Sequence, residues 1–538
     1  MNAKVISTKE FENRAFKLFF DRVENGDYIG ALGIMYSRYL KDRKDKEVIK
    51  NLADLYSKME EYARALFFRF KLLSLSSKED RLFVYKDIVI DTDVFDNVVL
   101  SNYYLNKIFD DYGREGVSEV APELGEKLSP KPSLAPFYVA YPPNEKHYKR
   151  LLFCGSQAVS AMSGEMADEF YSKVPLEQFT ENDVRDYVSA FILKEDYEGG
   201  LKKLKEFWKI LGDSVLIFSN MAVLYKYLSN QEKFEYYVER AIGAFTGEKN
   251  QALDLYEIIK DAKADVRFLN VLRVLVNEYK YSADYHATYA DYLFVFGEQE
   301  KAKKEIAIAR KIEPENKNFL FKEKIIIKGV TEEKIAKKSS KKTSEKSSVT
   351  DPAKLDSQEA CIYSKNSRLA KGAVYLLIEH GSTEAMRILD DALLDIELDN
   401  EIKHTIVYGK ISYGFLDVIP VVIDGVYYEI KPKKLYSEAQ KNTFYTSCYA
   451  LAVSKTFTSG LASENALKVA TNKIYKNFKN KFSGEQDLKD VTALICVLAV
   501  KQLDVKGLIS NFGANAEKVL KYLSVIEKNK DIKGEKND

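Results

Sequence analysis

The chain of 538 residues is 46% hydrophobic and 30% charged, an ordinary balance for a globular protein. Its 82 lysine and arginine residues are matched by 81 aspartate and glutamate residues, so the net charge of +1 argues against a protein that coats nucleic acid. No stretch approaches the roughly 18 apolar residues of a membrane span, and the charged N-terminal segment has no apolar core like that of a signal peptide. We therefore expect a cytoplasmic protein without a membrane partner.

Residue types that bind metals or carry out catalysis are few and scattered. The four cysteines contain no closely spaced pair, so we expect reduced and partly buried thiols at Cys154, Cys361, Cys448 and Cys496. The four histidines have no metal-ligand spacing, and the chain has neither a glycine-rich phosphate loop nor a nucleophile elbow. The sequence accordingly predicts no metal ion, no cofactor and no catalytic residue.

A period of about 34 residues runs through much of the N-terminal half of the chain. Tyr28 and Ala31 stand one such period before Tyr62 and Ala65. The same interval separates four later positions, which are Val188, Ala222, Tyr256 and Ala290. Small residues let antiparallel helices approach closely, and aromatic rings fill the remaining gap. The period therefore predicts a stack of helical hairpins.

The clearest unit of this pattern is the one around Ala290. Gly297 stands where a turn between two helices is expected, Ala302 and Ala309 follow on the second helix, and Pro314 ends that helix. With this spacing, about residues 10–110 and 147–325 resemble the tetratricopeptide repeat family. The resemblance implies an α-solenoid with a concave groove, lined by the first helix of each hairpin, that binds an extended peptide or a partner helix.

The resemblance also marks, by their positions on first helices, the residues expected to face this groove. They are Lys50, Asp54, Ser57, Ser219, Val223, Lys226, Asp291 and Phe294. Two of them, Lys50 and Lys226, could clamp an acidic or carboxylate-bearing ligand. These eight residues form the predicted partner-binding site.

Two segments differ in composition from the helical hairpins. Residues 113–146 are a predicted Pro-rich crossover with six of the 11 prolines; because its part 129–146 cannot form a regular helix, it is either an inserted loop or a segment that docks a partner. Residues 329–356 are rich in lysine and serine and too polar to form a core, which predicts a flexible linker. The predicted divisions are hairpins at 1–112 and 147–328, helices with a β-hairpin at 357–432, a helical domain at 433–528, and a charged tail at 529–538.

The region after the linker has a different pattern of predicted helices and strands. Two amphipathic helices are predicted on either side of Gly381, and a third could end at Gly414. Two apolar, β-branched and aromatic runs flank Asp424-Gly425, which is a strong signal for a β-hairpin. Helical patterns then continue to about residue 528.

Two stretches of these last helices resemble each other, and the second resembles a helix-turn-helix unit. The paired arrangement is also similar to a cyclin-like helical fold. Gly513 would lie at the turn of the second stretch. Asn515, Lys518 and Lys521 would be exposed on the helix that follows, where they could contact nucleic acid.

A second alternative concerns the predicted hairpin. Asp417 precedes it, and Glu429 and Lys431 lie on its second strand. This order resembles the D…ExK core of restriction-type nucleases, in which two carboxylates hold Mg²⁺ and the lysine assists attack by water. The same residues also fit a turn and one solvated strand face.

The preferred interpretation is a mainly α protein: an α-solenoid of degenerate tetratricopeptide-like hairpins followed by a smaller, mostly helical domain with one β-hairpin. Its expected function is that of a non-enzymatic scaffold or adaptor for a protein or peptide partner. A nucleic-acid-binding regulator and a Mg²⁺-dependent nuclease are the alternatives, and the oligomeric state stays open.

Overall fold

The computed structural model describes residues 8–95, 97–120, 147–160, 162–329, 352–479, 481–500 and 505–534. The chain divides into an N-terminal unit, Met1–Glu345, and a C-terminal unit, Lys346–Asp538. Most of the predicted Pro-rich crossover, 121–146, and of the predicted linker, 330–351, lies outside the described residues. No helix within the described residues combines the length and the apolar character needed to cross a membrane.

The described part of the N-terminal unit consists mainly of helices that pack in consecutive pairs. They are α1 (Thr8–Glu24), α2 (Tyr28–Tyr39), α3 (Lys46–Lys58), α4 (Tyr62–Leu75), α5 (Arg81–Val94), α6 (Val98–Val120), α7 (His147–Ser160), α8 (Gly164–Tyr171), α9 (Glu181–Leu193), α10 (Tyr197–Leu211), α11 (Val215–Tyr227), α12 (Gln231–Gly243), α13 (Lys249–Ile259), α14 (Phe268–Glu278), α15 (Ala283–Val295), α16 (Gln299–Ile312) and α17 (Lys317–Lys328). The odd-numbered helices from α1 to α15 are the first helices of the pairs, and α17 follows the last pair.

The spacing of these helices confirms the predicted tetratricopeptide-like array. The helices α7, α9, α11, α13, α15 and α17 each begin one sequence period after the one before. Val188, Ala222, Tyr256 and Ala290 each occupy the eighth position of a first helix and are at most 6% exposed. The period in the sequence is therefore the period of the helical hairpins.

The turn inside a pair has one recurring backbone feature. In six pairs, the residue two positions before the second helix has a positive φ angle; these residues are Gly26, Glu60, Met162, Glu195, Ser229 and Gly297. Only two of the six are glycine, the residue that adopts this conformation without a steric penalty. Aspartate or asparagine caps the second helix in three of these turns, as Asn230 does by accepting a hydrogen bond from the Lys233 amide at 3.1 Å.

The last pair of the array packs against the beginning of the array. We call this region the closing contact. The Tyr56 hydroxyl on α3 is buried and donates a hydrogen bond to the Ile312 carbonyl oxygen at 2.6 Å. Around it lie two ion pairs, Arg43–Glu315 and Arg64–Glu313, both 2.5 Å long, and the Tyr28–Tyr281 ring pair with centroids 5.4 Å apart. Residues about 250 positions apart in sequence therefore meet within the N-terminal unit.

The C-terminal unit is mainly helical with one antiparallel strand pair in its described residues. Its elements are α18 (Pro352–Ile362), α19 (Ser367–His380), α20 (Thr383–Leu394), α21 (Asn400–Ser412), β1 (Ile419–Ile423), β2 (Val426–Ile430), α22 (Ser437–Gln440), α23 (Thr443–Thr456), α24 (Glu464–Phe478), α25 (Glu485–Ala499), α26 (Val505–Asn511) and α27 (Ala516–Gly534). The predicted third helix is α21, which ends before Gly414, and the predicted β-hairpin is β1–β2.

One hydrophobic core spans the C-terminal unit from Ile362 to Ile526, across both sides of residue 432. Helix α23 lies at its centre, is buried on most of its surface, and contacts α21, α24 and α25. Strand β1 packs on α20 and α21. Asp424 and Gly425, with φ angles of 50° and 75°, form the tight turn between the strands.

Candidate partner-binding surface

The predicted groove residues of α3 are partly occupied by contacts within the array. Lys50 is exposed. The Asp54 carboxylate lies 2.7 Å from the Arg69 guanidinium of α4, and the Ser57 hydroxyl donates to Asp91 of α5 at 2.7 Å. Asp54 and Ser57 therefore join neighbouring helices, whereas Lys50 is exposed and its charge opposes the rise in the pKa of Asp87.

Arg69 is the centre of a buried charge cluster that the sequence did not predict. It is 4% exposed and pairs with Asp54, with Asp87 at 3.1 Å and with Asp91 at 3.0 Å. Burial raises the pKa of Asp87, and the neighbouring guanidinium opposes that rise. The Arg69 guanidinium thus forms ion pairs with three carboxylates. An arginine at a position where the repeat family usually has an aromatic residue was the available sequence signal.

The predicted residue Ser219 is not available to a partner in this structure. It is 2% exposed, and its hydroxyl donates a hydrogen bond to the Leu216 carbonyl oxygen at 3.2 Å. The first helices on either side of α11 are joined by a two-point ion pair between Arg185 and Asp254, with N–O distances of 2.6 and 2.8 Å. Ser219 is buried because α11 lies between the two helices that this pair connects.

The remaining predicted groove residues lie among ion pairs between repeats. Lys226 pairs with Asp261, and Asp291 pairs with Lys322, both at 2.5 Å. Val223 and Phe294 are half-buried beside them. The proposed clamp of Lys50 and Lys226 is therefore not preformed, because the Lys226 ammonium group already has a carboxylate partner.

The residues of the nucleic-acid alternative have structural contacts. The Asn515 side chain caps α27 by accepting a hydrogen bond from the Lys518 amide at 3.1 Å, and the Asn515 amide donates to Asp490 at 2.7 Å. Asp490 is fully buried, and its second oxygen lies 3.9 Å from the Lys518 ammonium group. Lys521 is exposed. The turn therefore fixes α27 to the core, and nucleic-acid binding stays a prediction without a supporting observation.

The residues of the nuclease alternative do not form a metal site. Asp417 is exposed and lies before β1, whereas Glu429 on β2 is paired in register with Pro420. The Glu429 carboxylate accepts a hydrogen bond from the Tyr427 hydroxyl at 3.2 Å and lies 3.8 Å from the Lys431 ammonium group. Across the described ranges, no group of three or more histidine, cysteine, aspartate or glutamate side chains is placed to hold a metal ion. No observation therefore supports nuclease activity.

Comparison with known proteins finds distant structural matches only. No protein-family model and no curated protein sequence matches the chain. Matching solved structures include the crystal structure of the yeast Tom70, with 13% identity, 99% of this chain and 98% of that chain covered, and a TM-score of 0.26. Another is the structure of Naa15/Naa10 bound to HypK-THB, with 11% identity, 94% and 89% covered, and a TM-score of 0.17. At these values neither similarity carries a functional conclusion, and the tetratricopeptide-like organisation is shown by the helix spacing of the chain itself.

Proposed function

We propose that the protein is a non-enzymatic scaffold that binds a segment of a partner protein on the face formed by its first helices. The observation that carries the proposal is the regular array, in which first helices recur at one constant sequence period from α7 to α15. Such an array presents a row of equivalent side chains along a continuous surface. The cytoplasmic location expected from the sequence is part of the proposal.

The side chains on this face suit a protein partner. Half-buried apolar groups, Val223 and Phe294, lie on the same helices as the Lys226–Asp261 and Asp291–Lys322 ion pairs. Apolar contacts surrounded by polar groups are the usual composition of a protein–protein interface. We therefore infer that apolar side chains of the partner contact Val223 and Phe294.

The closing contact supports the same proposal. Its hydrogen bond and ion pairs connect α3 and α4 to the end of α16, so both ends of the described array are held by packing. A surface that keeps one shape in the free protein loses less conformational entropy when a partner binds. The first-helix face is therefore preorganised.

The test is to place a charge on this face and compare the captured partners. Val223→Glu and Phe294→Glu are the test variants of the full-length protein. Ile210→Glu and Val266→Glu are matched controls, because their side chains are 47% and 59% exposed and lie outside the first helices. Tagged proteins are expressed in the source cells, and co-purified proteins are quantified by mass spectrometry.

We expect both test variants to lose the same captured proteins by about tenfold or more, since a buried unpaired charge opposes binding, while both controls retain them. Circular dichroism and unfolding curves show whether each variant is folded. Folded test variants that retain every protein captured by the controls would contradict the proposal.

A further inference from the structure

An open cavity of about 510 Å³ lies between α10, the end of α11 and the start of α12. Three lysines line it: Lys202 and Lys205 from α10, and Lys233 from α12. Tyr225 forms part of its wall, and Glu198 is the carboxylate that lines it. The three lysines come from second helices, whereas the face described above is formed by first helices.

Local structure explains why the three lysines converge. Lys202 and Lys205 are three residues apart on α10, so they share one side of the helix. Lys233 is the third residue of α12, and its amide is held by the Asn230 cap at 3.1 Å. Its ammonium group lies 5.0 Å from the centre of the Tyr225 ring, which is itself stacked on Tyr237 with centroids 5.4 Å apart.

Within the described residues, these three lysines differ from their neighbours in having no carboxylate at ion-pair distance, although the charge of Lys202 contributes to lowering the pKa of the nearby Glu206. Lys194 pairs with Asp168, Lys203 with Glu206, and Lys226 with Asp261, all at 2.7 Å or less. In the part of the chain that the structure describes, Lys202, Lys205 and Lys233 form no ion pair, and all three are exposed. Three ammonium groups against one carboxylate leave the cavity with a net positive charge, which attracts an anionic group.

The charges around the cavity favour a compact anionic group over an extended polyanion. Glu195, Asp196 and Glu232 are exposed beside the turns that border the cavity. Nucleic acid carries one phosphate charge for about every 1.7 Å of duplex axis, so its neighbouring phosphates would lie against these carboxylates. A glutamate or aspartate side chain brings its charge into the cavity and leaves the rest of the peptide free to avoid them.

We propose that this cavity binds carboxylate side chains of an acidic segment in a protein partner. The Lys202, Lys205 and Lys233 ammonium groups contact the carboxylates, and Tyr225 contacts their aliphatic stems. The inference rests on the proposed scaffold function only in that the ligand belongs to a protein. It adds a second binding point on the side of the array that carries the second helices.

The experiment measures binding of a fluorescein-labelled peptide, in which two glutamates stand between glycine and serine residues, to the full-length protein by fluorescence anisotropy at low salt. The test variant combines Lys202→Gln, Lys205→Gln and Lys233→Gln. The control variant combines Lys209→Gln, Lys263→Gln and Lys280→Gln, which removes the same charge from exposed lysines outside the cavity. Exposed lysine-to-glutamine changes leave the core intact, and unfolding curves check this for both variants.

We expect the dissociation constant to rise about tenfold or more in the test variant, since removing each charge-assisted hydrogen bond weakens binding, and less than about threefold in the control. Absence of peptide binding to the wild-type protein, or equal losses in both variants, would overturn the proposal. It is also overturned if a single-stranded DNA of equal charge binds more tightly than the peptide and shows the same dependence on these three lysines. The first-helix variants Val223→Glu and Phe294→Glu should bind the peptide normally, so failure of the scaffold proposal is distinguished from failure of this one.

Discussion

The two units use hydrogen bonds in different ways. In the N-terminal unit, several contacts between repeats join residues about one period apart: Tyr256 with Thr288, Tyr292 with the Ile259 carbonyl, and Ser57 with Asp91. In the C-terminal unit the separations vary: 19 residues between Lys403 and the Val422 carbonyl, 25 between the Asn515 amide and Asp490, and 32 between Tyr363 and Asp395. The array therefore repeats one type of contact between adjacent hairpins. The helices and strands of the C-terminal unit instead pack around one hydrophobic core.

The same contrast holds for buried charge. In the array, Arg69 is buried at the joint between two repeats and is surrounded by carboxylates. In the C-terminal unit, Lys403 is 1% exposed, and its ammonium group donates to a carbonyl oxygen at 2.9 Å. Asp395, Asp399 and Asp424 favour its charged form, yet burial lowers its pKa to about 8. The stability that the Arg69 cluster contributes should thus depend on its cation. The stability that Lys403 contributes should depend on pH.

The largest effect is expected from removing the cation of the Arg69 cluster. Arg69→Met leaves Asp54, Asp87 and Asp91 without their shared partner, and Asp91 is 2% exposed. Breaking a buried ion pair on one side costs about 3–5 kcal/mol. We expect the free energy of unfolding of the N-terminal unit to fall by that amount, as measured by urea denaturation of the full-length protein.

Two variants make this comparison specific. Adding Asp91→Asn to Arg69→Met removes the most buried carboxylate charge and should recover part of the loss. Arg22→Met removes an arginine of the same unit whose ion pair with Asp27 is exposed, so it should change stability by less than about 1 kcal/mol. Equal losses of unfolding free energy in Arg69→Met and Arg22→Met would show that the Arg69 cluster does not stabilise the contact between its two repeats.

Lys403 should give the C-terminal unit a stability component that rises with pH. Below pH 8 both the folded and unfolded states bind the proton, and the folded state bears the full cost of the buried charge. Between pH 8 and the unfolded pKa of 10.5, the folded state releases the proton first, so stability increases. From pH 7.5 to 9.5 this component should contribute about 2 kcal/mol.

The measurement is the difference in unfolding free energy between the wild-type protein and Lys403→Met at each pH. Burial raises the pKa values of Cys448 and Cys496, which opposes the rise in both proteins and cancels in the difference. At pH 7.5 the variant also leaves the Val422 carbonyl without its donor, a constant loss of about 1 kcal/mol. A difference that does not change with pH would show that Lys403 has an ordinary pKa.

The array was more predictable than the C-terminal unit because its contacts repeat in the sequence. The period placed Ala222 and Ala290 at fully buried positions, and the Asp424-Gly425 pair identified the hairpin. The bridge between Arg185 and Asp254 spans two repeats and leaves no local pattern. Asn515 had the sequence features of an exposed recognition residue, yet its role as a helix cap depends on the distant Asp490. Long-range polar pairs are therefore what sequence reasoning missed.

A variant of the closing contact tests whether it is as stable as the contacts between adjacent hairpins. Tyr56→Phe removes the hydroxyl that donates to the Ile312 carbonyl at 2.6 Å, and should lower the free energy of unfolding by about 1–2 kcal/mol. Tyr292→Phe is the matched control, since the Tyr292 hydroxyl donates to the Ile259 carbonyl at 2.9 Å in a contact between adjacent hairpins. Hydrogen exchange at the end of α16 should accelerate in Tyr56→Phe. Unchanged exchange there would contradict a stable closing contact.

The smallest expected effect concerns the turns inside the pairs. Ser229 has a φ angle of 55°, and Gly297 has one of 84° at the equivalent position. Ser229→Gly should raise the free energy of unfolding by about 0.5–1 kcal/mol, because glycine adopts positive φ without the steric cost borne by other residues. Gly297→Ala should lower it by a similar amount, and nothing lies within 4 Å of the added methyl group, so only backbone strain contributes. Opposite shifts in thermal unfolding would show that helix packing imposes the same turn on serine and glycine alike. If Ser229→Gly has no effect, the turn at Ser229 is not strained, and the two pairs differ despite their shared period.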